Sequence, residues 1–232
     1  MNLKFAWMQA IPMLLLAVLA LCGAARAQIV AFGASNISGW NVAASEATPA
    51  QLQSMLREKG YHVSVLNAGI YGNTTPEMRA RMDKDIPDGT TIVILDMSGG
   101  PYNNTRKGIS KAQGESDLAA IKARLEERQI KVIPFSAADF PAQYHQQDGI
   151  HLTPEGHHLA ATNLVPQITE ILGPPAATQT VRAACAADAH RLCSEALGDA
   201  SKRQQCMHDH RSELSKDCLH AIVESRQGQN NN

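Results

Sequence analysis

Ile29-Val-Ala-Phe-Gly-Ala-Ser-Asn-Ile-Ser-Gly-Trp40 is the stretch whose reading decides the fold. An apolar run from Ile29 to Phe32, long enough for a buried strand, meets a glycine and then a serine. Such a strand would carry Ser35 to the carboxyl end of a sheet, where α/β proteins place their ligand crevice. Gly33 is expected to let the backbone turn sharply there, because glycine accepts dihedrals that a side chain forbids. A glycine-x-serine after a strand is also an ordinary turn. The reading therefore depends on whether the rest of the chain supplies a base, an orienting acid and oxyanion donors.

Residues 1–27 read as a secretory signal peptide rather than as part of the fold. Lys4 gives a positive start, Ile11 to Cys22 form an apolar core, and Ala25-Arg26-Ala27 is a small-x-small cleavage site. The apolar stretch is short for a membrane span. Leu21 before Cys22 does not fit a lipoprotein site, which wants a small residue there. Removing this segment takes Lys4 and Arg26 but no acid, leaving 19 basic against 22 acidic residues and a net charge of −3. Nothing in that balance points to nucleic acid. Four of the five cysteines remain: Cys185, Cys193, Cys206 and Cys218. An even number in a secreted or periplasmic chain argues for two disulfides.

Strand and helix patterns alternate along the chain. Thr48–Lys59 has an N-cap, a proline at the first helical position and apolar residues at helical spacing, and Gly60 ends it. Tyr61–Leu66 reads as a strand, Thr75–Ile86 as a helix and Thr91–Met97 as a fully buried strand. Gln113–Arg128 is a helix, Lys131–Phe135 a strand, and Thr153–Leu172 a helix interrupted at Pro166. This order implies a small parallel sheet of four strands, covered on both faces by helices.

Asp148-Gly149-Ile150-His151 is the second informative element. An acid three residues ahead of a histidine can hold the imidazole by its Nδ1 proton, leaving Nε2 free to take a proton from a serine. Two glycine-rich stretches after strands offer oxyanion donors: Asn67–Thr75, which contains Gly72, and Ser98–Asn104, which contains Asn103 and Asn104. Trp40, Tyr71, Tyr102 and Phe140 flank these blocks and are candidates for a substrate pocket. His157 and His158, one helical turn or so beyond His151, are read as a solvated helix face.

Ser, Gly, Asn and Asp-x-x-His, in that order and each after its own strand, resemble the four blocks of the SGNH (GDSL) hydrolase family. The likeness is to its small bacterial thioesterase/lysophospholipase-like and arylesterase-like members and covers about Gln28 to Leu172. It implies a three-layer α/β/α, flavodoxin-like small parallel sheet. It also implies an exported serine esterase or acylhydrolase acting on a small-molecule or lipid acyl ester or thioester, with no cofactor and no metal. Ser35 would be the nucleophile and Asp148 and His151 would complete the triad. The Ser35 N–H, Gly72 and Asn103 would form the oxyanion hole. The sequence departs from the family at Ala34, where an aspartate is usual, and at Pro101-Tyr102, which separate the glycines from Asn103-Asn104. Asn104 is the alternative donor. Two other readings stay open: a polysaccharide or cell-wall O-acetylesterase, and a degenerate hydrolase domain retained for binding.

The expected organisation is a hydrolase domain over residues 28–173, a proline-rich linker over 174–183, a helical unit over 184–226 and a disordered polar tail over 227–232. The helical unit, with its Cys185-x7-Cys193-x12-Cys206-x11-Cys218 spacing, resembles a cysteine-rich repeat of the Golgi receptor type. His190, His208, His210 and His220 interleave with the cysteines. The absence of a Cys-x2-Cys pair in an exported chain nevertheless favours disulfides over zinc. Three pairings are open. A cell-envelope or protein ligand of this unit is the expected partner class, and no feature speaks to oligomeric state.

Overall fold

The centre of the molecule is its most apolar strand, Thr90–Asp96 (β3), in which every residue except Thr91 is buried. The structure, a computed structural model, describes residues 28–230, so the expected signal peptide with Cys22 lies outside the described residues. β3 pairs in parallel with Gln28–Gly33 (β1) on one side and Lys131–Phe135 (β4) on the other, and β1 pairs in parallel with Ser64–Gly69 (β2). The order is β2-β1-β3-β4.

Alternation along the two central strands separates two cores. Ile29, Ala31, Ile92 and Ile94 face helices α2 (Thr48–Glu58) and α6 (Pro154–Leu172) through Leu52, Leu56, Leu164 and Ile168. Val30, Phe32, Val93 and Leu95 face α3 (Thr75–Asp85) and α5 (Lys111–Glu127) through Met78, Met82, Leu118, Ile121 and Leu125. Strands buried on both faces need near-continuous apolar runs, which β1 and β3 have. Each buried aliphatic side chain contributes about 1.5–3 kcal/mol by leaving water. This is the expected three-layer α/β/α architecture. The chain runs from β1 outward to β2 and then back across to β3. The crevice at the carboxyl ends of β1 and β3 is therefore the sheet's topological switch point.

Several expectations need correction. β2 begins three residues later than the alternation of Val63 and Val65 indicates and runs through Gly69, because pairing with β1 sets its register. It is an edge strand with no fully buried residue. A one-turn helix, α1 (Ser35–Ser38), follows β1, and a two-turn helix, α4 (Gly99–Arg106), occupies the glycine-rich third block. Helix α6 continues through Pro166. Pro166 and Thr162, whose carbonyl loses its i+4 donor, both face solvent, while Leu164, Val165 and Ile168 pin the helix to the core.

Between α6 and the next helix only Gly173-Pro174-Pro175 lies outside helix. Residues 174–183, expected as a linker, are helical from Ala176 (α7, Ala176–Ala184), with Val181 packed on the small C-terminal core. Helices α8 (Ala186–Leu192), α9 (Ala200–Asp209) and α10 (Lys216–Asn230) complete the unit, so the expected disordered tail is helical through Asn230. Arg226 and Gln227 are good helix formers that extend a helix already anchored by Cys218, Leu219 and Ile222. Disulfides Cys185–Cys218 and Cys193–Cys206 choose one of the three pairings. They supply what a core of this size cannot. Among the described residues no helix is long and apolar enough to cross a membrane.

His157 overturns the reading of a solvated helix face. It is fully buried between α6 and α2, and its Nδ1 lies 2.8 Å from the Thr48 hydroxyl, which therefore does not cap α2. His158 is the exposed one of the pair. Burial pushes the His157 imidazole from 6.5 down to about 4. Because the folded pKa lies below the unfolded one, this site favours folding above pH 6.5. That contribution is lost as pH falls from 6.5 toward 4, by an amount on the order of 3 kcal/mol. Thermal melts across this window should show the wild type losing stability and His157→Asn losing correspondingly less. Parallel curves for the two proteins would contradict the assignment.

Candidate active site

Ser35 is the first residue of α1, directly after β1, and is 94% buried at the carboxyl edge of the sheet. The helical turn is closed by Ser38 N–H donating to the Ala34 carbonyl at 3.1 Å. Gly33 does not adopt a positive φ, so the expected reason for a glycine there is replaced by another. A Cβ on Gly33 would stand 2.2 Å from Asp96 Cβ, and one on Gly99 would stand 2.4 Å from Asp96 Oδ2. Both glycines make room for one buried side chain.

That side chain is a carboxylate with no solvent exposure. Asp96 Oδ2 accepts the Ala34 N–H at 3.0 Å. Its Oδ1 accepts the N–H groups of Ser98 and Gly99 at 2.9 and 2.8 Å and the Ser98 hydroxyl at 3.2 Å. Ala34 brings no polar side chain to the serine loop, and the loop's anchor comes from β3 instead.

His151 reaches Ser35 from the loop ahead of α6. Its Nε2 lies 2.9 Å from Ser35 Oγ across 116 residues of sequence. Its Nδ1 lies 2.5 Å from Asp148 Oδ2. Asp148 Oδ1 accepts the backbone N–H groups of Ile150 and His151 at 2.9 and 3.0 Å, and Gly149 takes φ +69° to close this turn. Partial burial alone would raise the Asp148 pKa. Hydrogen bonds from the His151 ring and from the two N–H groups outweigh it and hold the carboxyl at about 2. The carboxylate thus stays ionised and accepts the Nδ1 proton. That tautomer leaves Nε2 as the acceptor for the serine hydroxyl.

The residue after the serine fixes this approach. Asn36, 97% buried, donates through Nδ2 to the Ile150 carbonyl at 3.1 Å and accepts the Leu152 N–H at 2.9 Å. It thus clamps the backbone on either side of His151. Nothing in the sequence marks Asn36 or Asp96 for these roles, since the partners of Asn36 lie 114 and 116 residues away and the Ala34 that Asp96 holds lies 62 residues away. The one local signal is that an apolar strand ends on an acid.

The third and second blocks meet in front of α3. Asn103 Nδ2 donates to the Asn73 carbonyl at 2.9 Å, leaving its second amide hydrogen, while Gly72 takes φ +73° in the turn between. Asn104 is buried, and both ends of its amide are committed to Thr75: its Oδ1 accepts the Thr75 N–H at 2.9 Å and its Nδ2 donates to the Thr75 hydroxyl at 2.7 Å. Asn104 is therefore a strut between α4 and α3, and Asn103 is the asparagine with donor capacity to spare.

Of the flanking aromatics, Trp40 and Tyr71 stack on each other with centroids 3.9 Å apart and lie 6.2 and 6.4 Å from the His151 ring. Both are exposed, as is Tyr102 on α4. Phe140 turns away and packs against Phe135. A shallow groove beside Trp40 is lined by Asn41, Val42, Gln146, Gln147, Asp148 and Pro154.

No family model matches the chain, and no curated protein matches it. Solved structures do match in fold. The protein TesA superposes with a TM-score of 0.54 at 19% identity, covering 62% of this chain and 98% of its own. The psychrotrophic esterase EstA from Pseudoalteromonas sp. gives 0.53 at 14% identity, covering 62% and 98%. A protein assigned to the G-D-S-L lipolytic family from Desulfitobacterium hafniense DCB-2 gives 0.50 at 14% identity, covering 60% and 98%. The chain shares their fold. The shares covered leave more than a third of this chain outside the match, enough to hold the disulfide-linked unit.

Replacing Asn36 by Leu, similar in size but unable to hydrogen-bond, should loosen the His151 loop. Activity in any assay of this site should fall about 10–100-fold, as a displacement of about 1 Å can cost in a preorganised site. Steady-state kinetics with a parallel melting curve checks this. Full activity in the folded variant would remove Asn36 from the site.

Proposed function

We propose that the protein is an exported serine esterase that cleaves carboxylic esters or thioesters through an acyl-enzyme on Ser35. The observation that supports it is the unbroken run of contacts from Ser35 Oγ to His151 Nε2 and from His151 Nδ1 to Asp148 Oδ2. A hydroxyl, an imidazole in the accepting tautomer and an ionised carboxylate in that order activate a serine. The shared fold with an esterase and with a G-D-S-L lipolytic protein agrees with this reading. The two disulfides suit an oxidising compartment, as expected of a secreted or periplasmic chain.

Ser35 Oγ attacks the ester carbonyl carbon while its proton passes to His151 Nε2, and the carbonyl π electrons move onto oxygen. The Ser35 N–H, the Gly72 N–H and the Asn103 amide receive that oxyanion. Asp148 steadies the imidazolium. Collapse expels the alcohol or thiol, which takes the proton from Nε2. Water then attacks the acyl-serine and passes its proton to Nε2, and a second collapse releases the acid and returns the proton to Ser35. The C-terminal disulfide unit takes no part in these steps. We read it as a binding or anchoring module of the Golgi-receptor-like cysteine-rich type.

Ser35→Ala should lower kcat by about 10³-fold or more, and Asp148→Asn by about 10²–10⁴-fold through loss of the correct tautomer. A structure of EstA inhibited by monoethylphosphonate is known, and a fluorophosphonate should likewise add one phosphonyl group to Ser35, seen by peptide mass. Unchanged turnover of activated esters by the Ser35→Ala protein would refute the proposal.

A further inference from the structure

Arg81 lies on α3 and forms an ion pair with Asp85 at 2.8 Å, one turn on. Such i,i+4 pairs are ordinarily solvated decoration on a helix surface. This one is not, because the Arg81 side chain is only 12% exposed and points at the carboxyl edge of the sheet. Its Nη2 donates to the Gly33 carbonyl at 2.7 Å, its Nη1 to the Ala68 carbonyl at 3.0 Å, and its Nε to Asn73 Oδ1 at 2.6 Å. The guanidinium carbon sits 4.3 Å above the centre of the Phe32 ring. Four of the cation's five N–H donors are accounted for, and only the bond to Asp85 is to a charge.

The three uncharged acceptors span the site. Gly33 ends β1 two residues before Ser35, Ala68 lies at the end of β2, and Asn73 follows Gly72. The same Asn73 presents its main-chain carbonyl to Asn103 Nδ2 at 2.9 Å. The Gly33 carbonyl also accepts the Ile70 N–H at 3.1 Å. The loop from Ile70 to Asn73 is therefore tied at its start to β1 and held at its end between Arg81 and Asn103, with Gly72 in between. A rigid, planar fork suits three fixed acceptors better than a flexible ammonium does.

We propose that Arg81 is a positioning residue of the active site, fixing the Gly72–Asn73 peptide and, through Asn73, the Asn103 amide relative to Ser35. This rests on the esterase reading, in which Gly72 and Asn103 receive the oxyanion. Arg81 touches no reacting atom. Its effect falls on the transition state, where donor placement matters most, rather than on ground-state binding.

The test uses the full chain with p-nitrophenyl acetate as probe, a melting curve for every variant and active-site titration with a fluorophosphonate. Asn73→Ala removes the Arg81–loop hydrogen bond without disturbing the strand-end carbonyls, so it covers the case in which Arg81 variants fail to fold. Arg81→Ala and Asn73→Ala should each lower kcat per titrated site about 10–100-fold with KM changed less than about 3-fold. Arg81→Lys should fall in between. Added guanidinium ion at tens of millimolar should restore part of the Arg81→Ala turnover, while equal ammonium should not. Hydrogen exchange at residues 70–73 should rise in both alanine variants.

Folded Arg81→Ala and Asn73→Ala proteins with wild-type kcat per titrated site would overturn the proposal. So would a loss confined to the melting temperature. An inert wild type whose 70–73 loop still loosens in Arg81→Ala would instead count against the esterase reading while sustaining the structural half of this one.

Discussion

A carboxylate sealed from water must find its hydrogen bonds inside the protein, and Asp96 finds them at Ala34, Ser98 and Gly99, on the segments that carry the site. It joins the turn before Ser35 to the start of α4. The Ser98 hydroxyl that it holds in turn accepts the Ala137 N–H at 3.2 Å, which brings in the segment after β4. Two neighbouring positions must be glycine to admit it. The arrangement is expensive to break, since removing the carboxylate would strand several N–H groups in the interior. It also anchors the turn at Ala34, which has no polar side chain of its own. The polar anchor of that turn sits on the adjacent strand, where the sheet itself holds it rigid.

Much of this molecule could be read before its structure. The runs in β1 and β3 announce strands buried on both faces, the Thr-Pro openings place α2 and α3, and Asp148-x-x-His151 is a local pattern whose turn geometry follows from its spacing. Ser35 and the Asp148-x-x-His151 pair could be singled out as candidates because one directly follows β1 and the other closely precedes α6. Asn36, Asp96 and Arg81 were not, because what defines them is a partner brought close by the fold. Their residue types are ordinary for a turn, a strand end and a helix. The sequence favours Asn103 over Asn104 only by its place in the block, whereas the physical distinction lies in which amide is already occupied by Thr75.

The errors share a cause. His157 looked solvated because histidine pairs on helices usually are, and the buried Thr48 hydroxyl that receives it belongs to another helix. Gly33 was assigned to backbone freedom when the constraint is space. The Ala176–Ala184 segment looked like a linker because of the prolines before it, yet it gains helical order by packing Val181 on the disulfide core. In each case a tertiary partner overrode a local tendency.

The Trp40–Tyr71 stack has one more consequence. Trp40 is the sole tryptophan among the described residues, and the chain's other indole, Trp7, belongs to the expected leader. Excited at wavelengths that pass over tyrosine, the described residues emit from a single ring. That ring is partly open to water and leans on a phenol and an imidazole at the mouth of the crevice. Its colour and quenching would follow arrivals at the crevice more closely than the melting of the distant helical cores, giving the molecule an optical gauge of occupancy with no label attached.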